Sequence, residues 1–121
     1  MINKKCLYET KFENGVLDVV IHGEIDHHSA VRIRSEIDSI ICESRPEKTV
    51  LDLSGVDFMD SSGLGLIMGR YALMQRIAGE LTLRSPNERI VKIFELAGLG
   101  RIIKIEKEEK EKNENVKEDN K

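Results

Sequence analysis

LDLSGVDFMDSSGLGLIMGRY, residues 51–71, decides how this chain folds. The stretch reads as a buried β-strand, a short loop and a helix in direct succession. Residues 49–53 form a short apolar run of β type, ending at Leu53. The loop then delivers Asp60-Ser61-Ser62-Gly63 to the start of a helix predicted over about residues 62–78. Leu64, Ile67, Met68, Tyr71, Met74 and Ala78 recur at spacings of three and four, the stripe a helix buries against a core. Gly79 is the predicted left-handed C-cap.

The same alternation continues on both sides. Upstream, residues 5–13 and 16–22 are β-type runs around Asn14-Gly15, a strong hairpin signal. In the second run Leu17, Val19 and Ile21 alternate with Val16, Asp18, Val20 and His22, so one face of that strand is buried. A helix follows on Ala30, Ile33, Ile37, Ile40 and Ile41, with Arg32, Arg34, Glu36 and Asp38 between them. Asp26 or Ser29 can cap its start, and Pro46 lies beyond its end. Downstream come a strand at 81–83, a helix at 87–97 with Ile90, Ile93, Phe94 and Ala97 inward, and a last strand at 102–105. The predicted order is β-β-α-β-α-β-α-β. The fold class is therefore α/β: an N-terminal β-hairpin, then alternating β-α units with right-handed crossovers, giving a mixed β-sheet with helices packed on it.

Length fits one domain: 121 residues bury roughly two-thirds of their unfolded surface, enough for a core without staples. That core is aliphatic, since the chain has no Trp, three Phe and two Tyr. Residues 1–105 form the predicted domain. Residues 106–121 carry five Lys and seven Asp or Glu, with Val116 as the sole apolar side chain. Such a segment cannot offset its ordering entropy by burial, so it is expected to be a charged tail, solvated or disordered. A net charge of -3 argues against nucleic acid as a partner. No apolar run is long enough for a membrane span, and the N-terminus lacks the apolar core of a signal peptide. Cys6 and Cys42 show no CxxC spacing and are expected to be reduced thiols in the cytoplasm. No large apolar patch is evident, so the free protein is expected to be a monomer.

The Asp60–Gly63 loop carries the chemistry. The first turn of a helix has unpaired N–H groups and the positive end of the macrodipole. A hydroxyl there can cap the helix, and a phosphate added there meets donors ready to receive it. Gly63 and Gly65 leave the turn bare, so another protein's backbone could approach closely. The ordinary reading makes Ser61 or Ser62 an N-cap and nothing more. There is no GxxxxGK[ST] phosphate loop, and the residues around Ser61 and Ser62 do not supply G-x-S-x-G. Asp60 is the nearest ionisable neighbour in sequence, so nucleophilic catalysis by Ser61 is not expected. A second cluster, Gly23-Glu24-Ile25-Asp26-His27-His28, lies in the turn before the first helix. Adjacent His27 and His28 project in different directions, with no Cys near in sequence, which argues against a metal site. Asp26 capping the helix competes there with a recognition role. Loops after parallel strands collect at one sheet edge, which would set this turn beside Ser61.

Three blocks in order, GEIDHHSA from residue 23, VLDLSGVDFMDSSGLGLIMGRY from residue 50 and SPNERIVKIFELAGLGRIIKIE from residue 85, resemble STAS-domain anti-sigma factor antagonists. The resemblance covers about residues 5–105 and is nearest to the antagonists of the sporulation anti-sigma-F factor; a general stress or other developmental sigma-factor pathway is the alternative. It implies a partner-switching protein, not an enzyme. The unmodified form binds an anti-sigma factor that is also a serine kinase and carries ATP or ADP with Mg. The sigma factor is then released. Phosphorylation, which in this family falls on the first Ser of DSSG, here Ser61, ends the complex, and a serine phosphatase reverses it. The resemblance implies no cofactor of the chain's own. Its partner surface is expected from Gly23, Glu24, Asp26, His27, Asp60, Ser61, Ser62, Gly63 and Leu64. Family members commonly end in an amphipathic helix, for which the segment after Ile105 has too few apolar positions.

Overall fold

Asn14 and Gly15 both take left-handed backbone angles, φ 52° and 81°. A type I′ turn requires that pair, and its twist matches the strands it joins. The first strand, β1 (Leu7–Glu13), therefore folds back antiparallel on β2 (Val16–Ile25), with Glu13 opposite Val16 and Leu7 opposite His22. The structure, a computed structural model, describes residues 6–107. After β2 come α1 (His27–Ser44), β3 (Lys48–Met59), α2 (Ser61–Arg76), β4 (Glu80–Arg84), α3 (Glu88–Leu96), a 3-10 turn at Leu99–Arg101 and β5 (Lys104–Glu106).

The sheet runs β1-β2-β3-β4-β5, antiparallel at the first pair and parallel at the other three. Each crossover steps one strand in the same direction, so right-handed connections put all three helices on one face. One core cluster records this: Leu17, Val19, Ile21, Leu51, Leu53, Leu81 and Leu83 from the strands meet Ile33, Ile37, Ile41, Ile67, Met74, Ile90 and Phe94 from the helices. The opposite face mixes Val16, Val20 and Val50 with charged side chains that pair across it. Arg84 Nη1 lies 3.3 Å from Asp18 Oδ1 and 3.4 Å from Asp52 Oδ2, and Lys48 Nζ lies 3.4 Å from Glu106 Oε2.

Several elements depart from the sequence reading. Both strands at the site are longer than predicted: β2 reaches Ile25, and β3 passes Leu53 to reach Met59. Ser54-Gly55 looks like a strand end, but two register shifts absorb the irregularity and pairing resumes at Glu24–Phe58 and Ile25–Met59. Asp52 Oδ1 accepts from the Ser54 N–H at 2.9 Å and its hydroxyl at 2.7 Å, which holds the bulge. At the end of α2 the left-handed residue is Ala78 (φ 59°), not Gly79. The buried stripe of α2 is Gly63, Leu66, Ile67, Arg70 and Met74, rotated from the predicted one because Arg70 points inward. In α3, Ala97 is an exposed C-cap and Ile93 is half-buried; Leu99 on the 3-10 turn and Ile103 complete that end of the core. That turn takes up Ile102, so β5 begins at Lys104. Glu106 belongs to β5; the remainder of the predicted tail, from residue 108, lies outside the described residues.

Candidate functional site

The parallel strands β2 and β3 end at the same sheet edge, and each passes to a helix through one aspartate. Asp26 caps α1. Its Oδ1 accepts the Ser29 N–H at 2.9 Å, while Ser29 Oγ accepts the Asp26 N–H at 2.9 Å, a reciprocal capping box. Asp60 caps α2 by accepting the Ser62 N–H at 2.7 Å. The Asp60 N–H donates to the Ile25 carbonyl at 3.2 Å, tying the two strand ends together. Asn87 caps α3 and also donates to the Val56 carbonyl at 3.2 Å. Three helix N-termini thus gather at one edge.

Ser61 occupies the first position of α2, exposed, and its hydroxyl makes no hydrogen bond among the described residues. The capping role that the ordinary reading gives to Ser61 or Ser62 is taken by Asp60. The hydroxyl therefore stands at the positive end of α2 with no structural task. A negative group there gains about 0.3–1 kcal/mol from the helix terminus.

Gly63 has a different task from the one its sequence position implies. It is buried, and a Cβ there would lie 2.7 Å from Met59 Sδ and 2.8 Å from Met59 Cβ. It lets the first turn of α2 seat on the end of β3. Gly65, with nothing within 4 Å of such a Cβ, is the bare position. Gly63→Ala is expected to cost about 1 kcal/mol net, an overpacking cost of about 1–3 kcal/mol less about 1 kcal/mol of helix propensity. Urea denaturation reads it, and a gain in stability would mean Met59 yields without strain.

The Asp26 carboxyl is held below the usual carboxylate range, first by the Ser29 N–H, then by the Ser29 hydroxyl, with His28 adding charge attraction. A depressed folded-state pKa stabilises the protein above the unfolded value of about 3.8, and that contribution disappears as pH falls through the folded value. Asp26→Ala is accordingly expected to lower the melting temperature at pH 7, with the gap to the parent narrowing progressively below pH 3.8. A gap that stays constant to pH 2 would contradict the capping role.

A groove runs between the first turns of α1 and α2, lined by His27, Val31, Arg34, Ser62, Gly65 and Leu66. A second depression, with Cys6, Glu24, His28 and Arg32, lies on the other side of Asp26. The structure thus brings His27 and Ser62 together, keeps Asp26, Asp60 and Ser61 exposed, and leaves Leu64 half-buried. Gly23 and Glu24 sit in the β2 ladder opposite Val56 and Phe58, not in a turn. Sequence reasoning missed Val31, Arg34 and Phe58. Phe58, 46% exposed, and Val31, 41% exposed, are apolar side chains at this edge. A signal existed for Val31, an apolar residue off the Ala30-Ile33-Ile37-Ile41 stripe. Cys6 and Cys42 are both free thiols, the first buried. Among the described residues no group of three or more His, Cys, Asp or Glu could hold a metal, and no helix is long and apolar enough to cross a membrane.

The STAS domain family matches residues 8–112. The chain belongs to the STAS family. This STAS protein is 38% identical over 97 residues to the anti-sigma F factor antagonist of Paenibacillus polymyxa, covering 80% of this chain and 83% of that one. It is 34% identical over 101 residues to the anti-sigma-B factor antagonist of Listeria monocytogenes, covering 82% and 86%. Its structure resembles the anti-sigma factor antagonist SpoIIAA in its unphosphorylated form, with TM-score 0.77, 28% identity and coverage of 92% and 96%. The phosphorylated form of the Bacillus cell fate determinant SpoIIAA aligns with TM-score 0.72 at 28% identity, covering 91% and 99%. The five-stranded mixed sheet with three helices is the STAS fold, and the relatives are regulatory antagonists of anti-sigma factors.

Proposed function

We propose that this STAS protein is a cytoplasmic anti-sigma factor antagonist switched off by phosphorylation of Ser61. The observation that carries the reading is the exposed Ser61 hydroxyl, free of any capping bond at the first turn of α2. In its unmodified form the protein binds an anti-sigma factor with serine kinase activity through the edge around Asp26, His27, Asp60, Ser61 and Leu64, and the sigma factor is released. The kinase supplies nucleotide, Mg and the catalytic base, and it transfers a phosphoryl group to Ser61 Oγ. A serine phosphatase restores the active form. This chain is a substrate in that cycle and catalyses no step of it. A form named as phosphorylated among the structurally similar proteins supports the reading.

The pathway we propose is sigma-F of sporulation, supported by the 38% identity to an anti-sigma F factor antagonist. The 34% identity to an anti-sigma-B factor antagonist supports a general stress pathway as the second reading. Intact-mass spectrometry after incubation with ATP, Mg and each anti-sigma kinase of the same genome tests both. One phosphate, mapped to Ser61 and absent from Ser61→Ala, is expected, and the kinase that delivers it names the pathway. No modification by any cognate kinase, or modification elsewhere, overturns the switch.

A further inference from the structure

We propose that two copies of this protein associate through the outer edge of β1, pairing antiparallel about Thr10. The strand β1 ends the sheet order, and among the described residues no strand pairs with its outer side. It is seven residues long, whereas the opposite edge strand has three. A long edge without proline is a template for another strand.

The hairpin fixes which groups face outward. A two-residue I′ turn makes Glu13 and Val16 a hydrogen-bonded pair, and such pairs alternate along an antiparallel ladder. Leu7, Glu9, Lys11 and Glu13 therefore bond to β2. Tyr8, Thr10 and Phe12 turn their N–H and C=O groups to the open side. A second β1 laid antiparallel with Thr10 opposite Thr10 satisfies these groups reciprocally: Tyr8 pairs with Phe12 of the second copy, and Phe12 with its Tyr8.

The side chains match in that register. Glu9 falls opposite Lys11 of the second copy and Lys11 opposite its Glu9. On the helix-covered face each Tyr8 meets a Phe12, which is 46% exposed in one copy alone. Shifting the register two residues one way sets Lys11 against Lys11 and Glu9 against Glu13 of the second copy, and its end pair runs into Asn14 of the turn. Shifting it the other way sets Glu9 against Glu9 of the second copy and Leu7 against its Lys11, so like charges meet and the charge match is lost. Lys11 pairs with Glu13 of its own strand at 3.2 Å, but both are largely exposed and held weakly enough to exchange partners. The two-fold axis stands perpendicular to the sheet, so the two Ser61 edges point in opposite directions and both stay accessible. The lack of a large apolar patch predicts a monomer, yet a contact made mainly by main-chain hydrogen bonds does not need one. A contact of one seven-residue strand lies at the low end of specific interfaces, the range of weak and transient association.

Sedimentation velocity of the full chain from about 1 µM to about 1 mM tests this, with the apparent mass expected to double across the range. Glu9→Lys and Lys11→Glu each place like charges opposite one another and are expected to weaken the dimer about tenfold or more. An equimolar mixture of the two variants is expected to restore it, because each strand then carries the charges the other needs. Thr10→Pro is expected to stay folded by circular dichroism, since its N–H is unused within one copy, and to be monomeric. A parent chain that stays monomeric throughout, dimers that both charge variants preserve, or a mixture that fails to recover overturns the proposal.

Discussion

Asp38→Ala is expected to lower the melting temperature by about 10 °C, corresponding to about 2–3 kcal/mol for a domain of this size. Arg70 reaches from α2 to α1, where its Nε lies 2.9 Å from Asp38 Oδ1 and its Nη2 lies 3.3 Å from Oδ2. Its Nη1 also donates to the Leu66 carbonyl at 3.3 Å. The two partners differ in burial: the Arg70 side chain is 6% exposed and that of Asp38 36%. Burial pushes the guanidinium pKa down and the Asp38 charge opposes that shift. Removing Asp38 therefore strands a buried cation, which costs about 3–5 kcal/mol in a dry site and less here, where one partner meets water. Arg70→Met removes the cation and keeps much of the volume, so its loss should be less than half as large. Calorimetry of both variants decides it. Equal losses would mean that packing by the arginine stem, not the stranded charge, sets the cost.

That ion pair also marks where sequence reading lost accuracy. A stripe analysis places arginine outside by rule, so for α2 it selected Leu64, Met68 and Tyr71 and missed Arg70, whose inward position depends on a carboxylate thirty-two residues earlier on another helix. Local signals did well where the physics is local: Asn14-Gly15 fixed the hairpin, and the alternation of Leu17, Val19 and Ile21 fixed the buried face of β2. Strand ends at the site were not legible, because the extensions to Ile25 and Met59 depend on pairing between β2 and β3 past a bulge. The same holds for the caps. Asp60 and Ser61 are both good N-cap residues, and the choice of Asp60 follows from its N–H being held by Ile25 on the neighbouring strand. The sequence position of Gly63 suggests outward bareness, whereas its need is inward, set by Met59 four residues before it.

Ser61→Asp is expected to bind the anti-sigma kinase about a hundredfold more weakly than the parent, a loss of about 3 kcal/mol, while Ser61→Ala binds within a few fold. The phosphate it imitates carries about -1.5 to -2 charges, so the modified protein should be weaker still. Two separate effects act at this position. The α2 terminus attracts a negative group by about 0.3–1 kcal/mol, which belongs to the free protein and leaves the fold intact or slightly more stable. Asp60 and Asp26 lie at the same edge, and a docked partner must desolvate the new charge beside them. The first effect is small and does not oppose unbinding; the second exists in the complex alone. Binding and folding should therefore separate: Ser61→Asp should melt no lower than the parent while losing its partner. Added salt discriminates further, because screened repulsion recovers affinity as ionic strength rises, whereas a desolvation or steric cost persists. Isothermal titration with the purified kinase at two salt concentrations measures all of this. Equal affinity for Ser61→Asp and the parent would leave a constitutive binding module with no switch at Ser61.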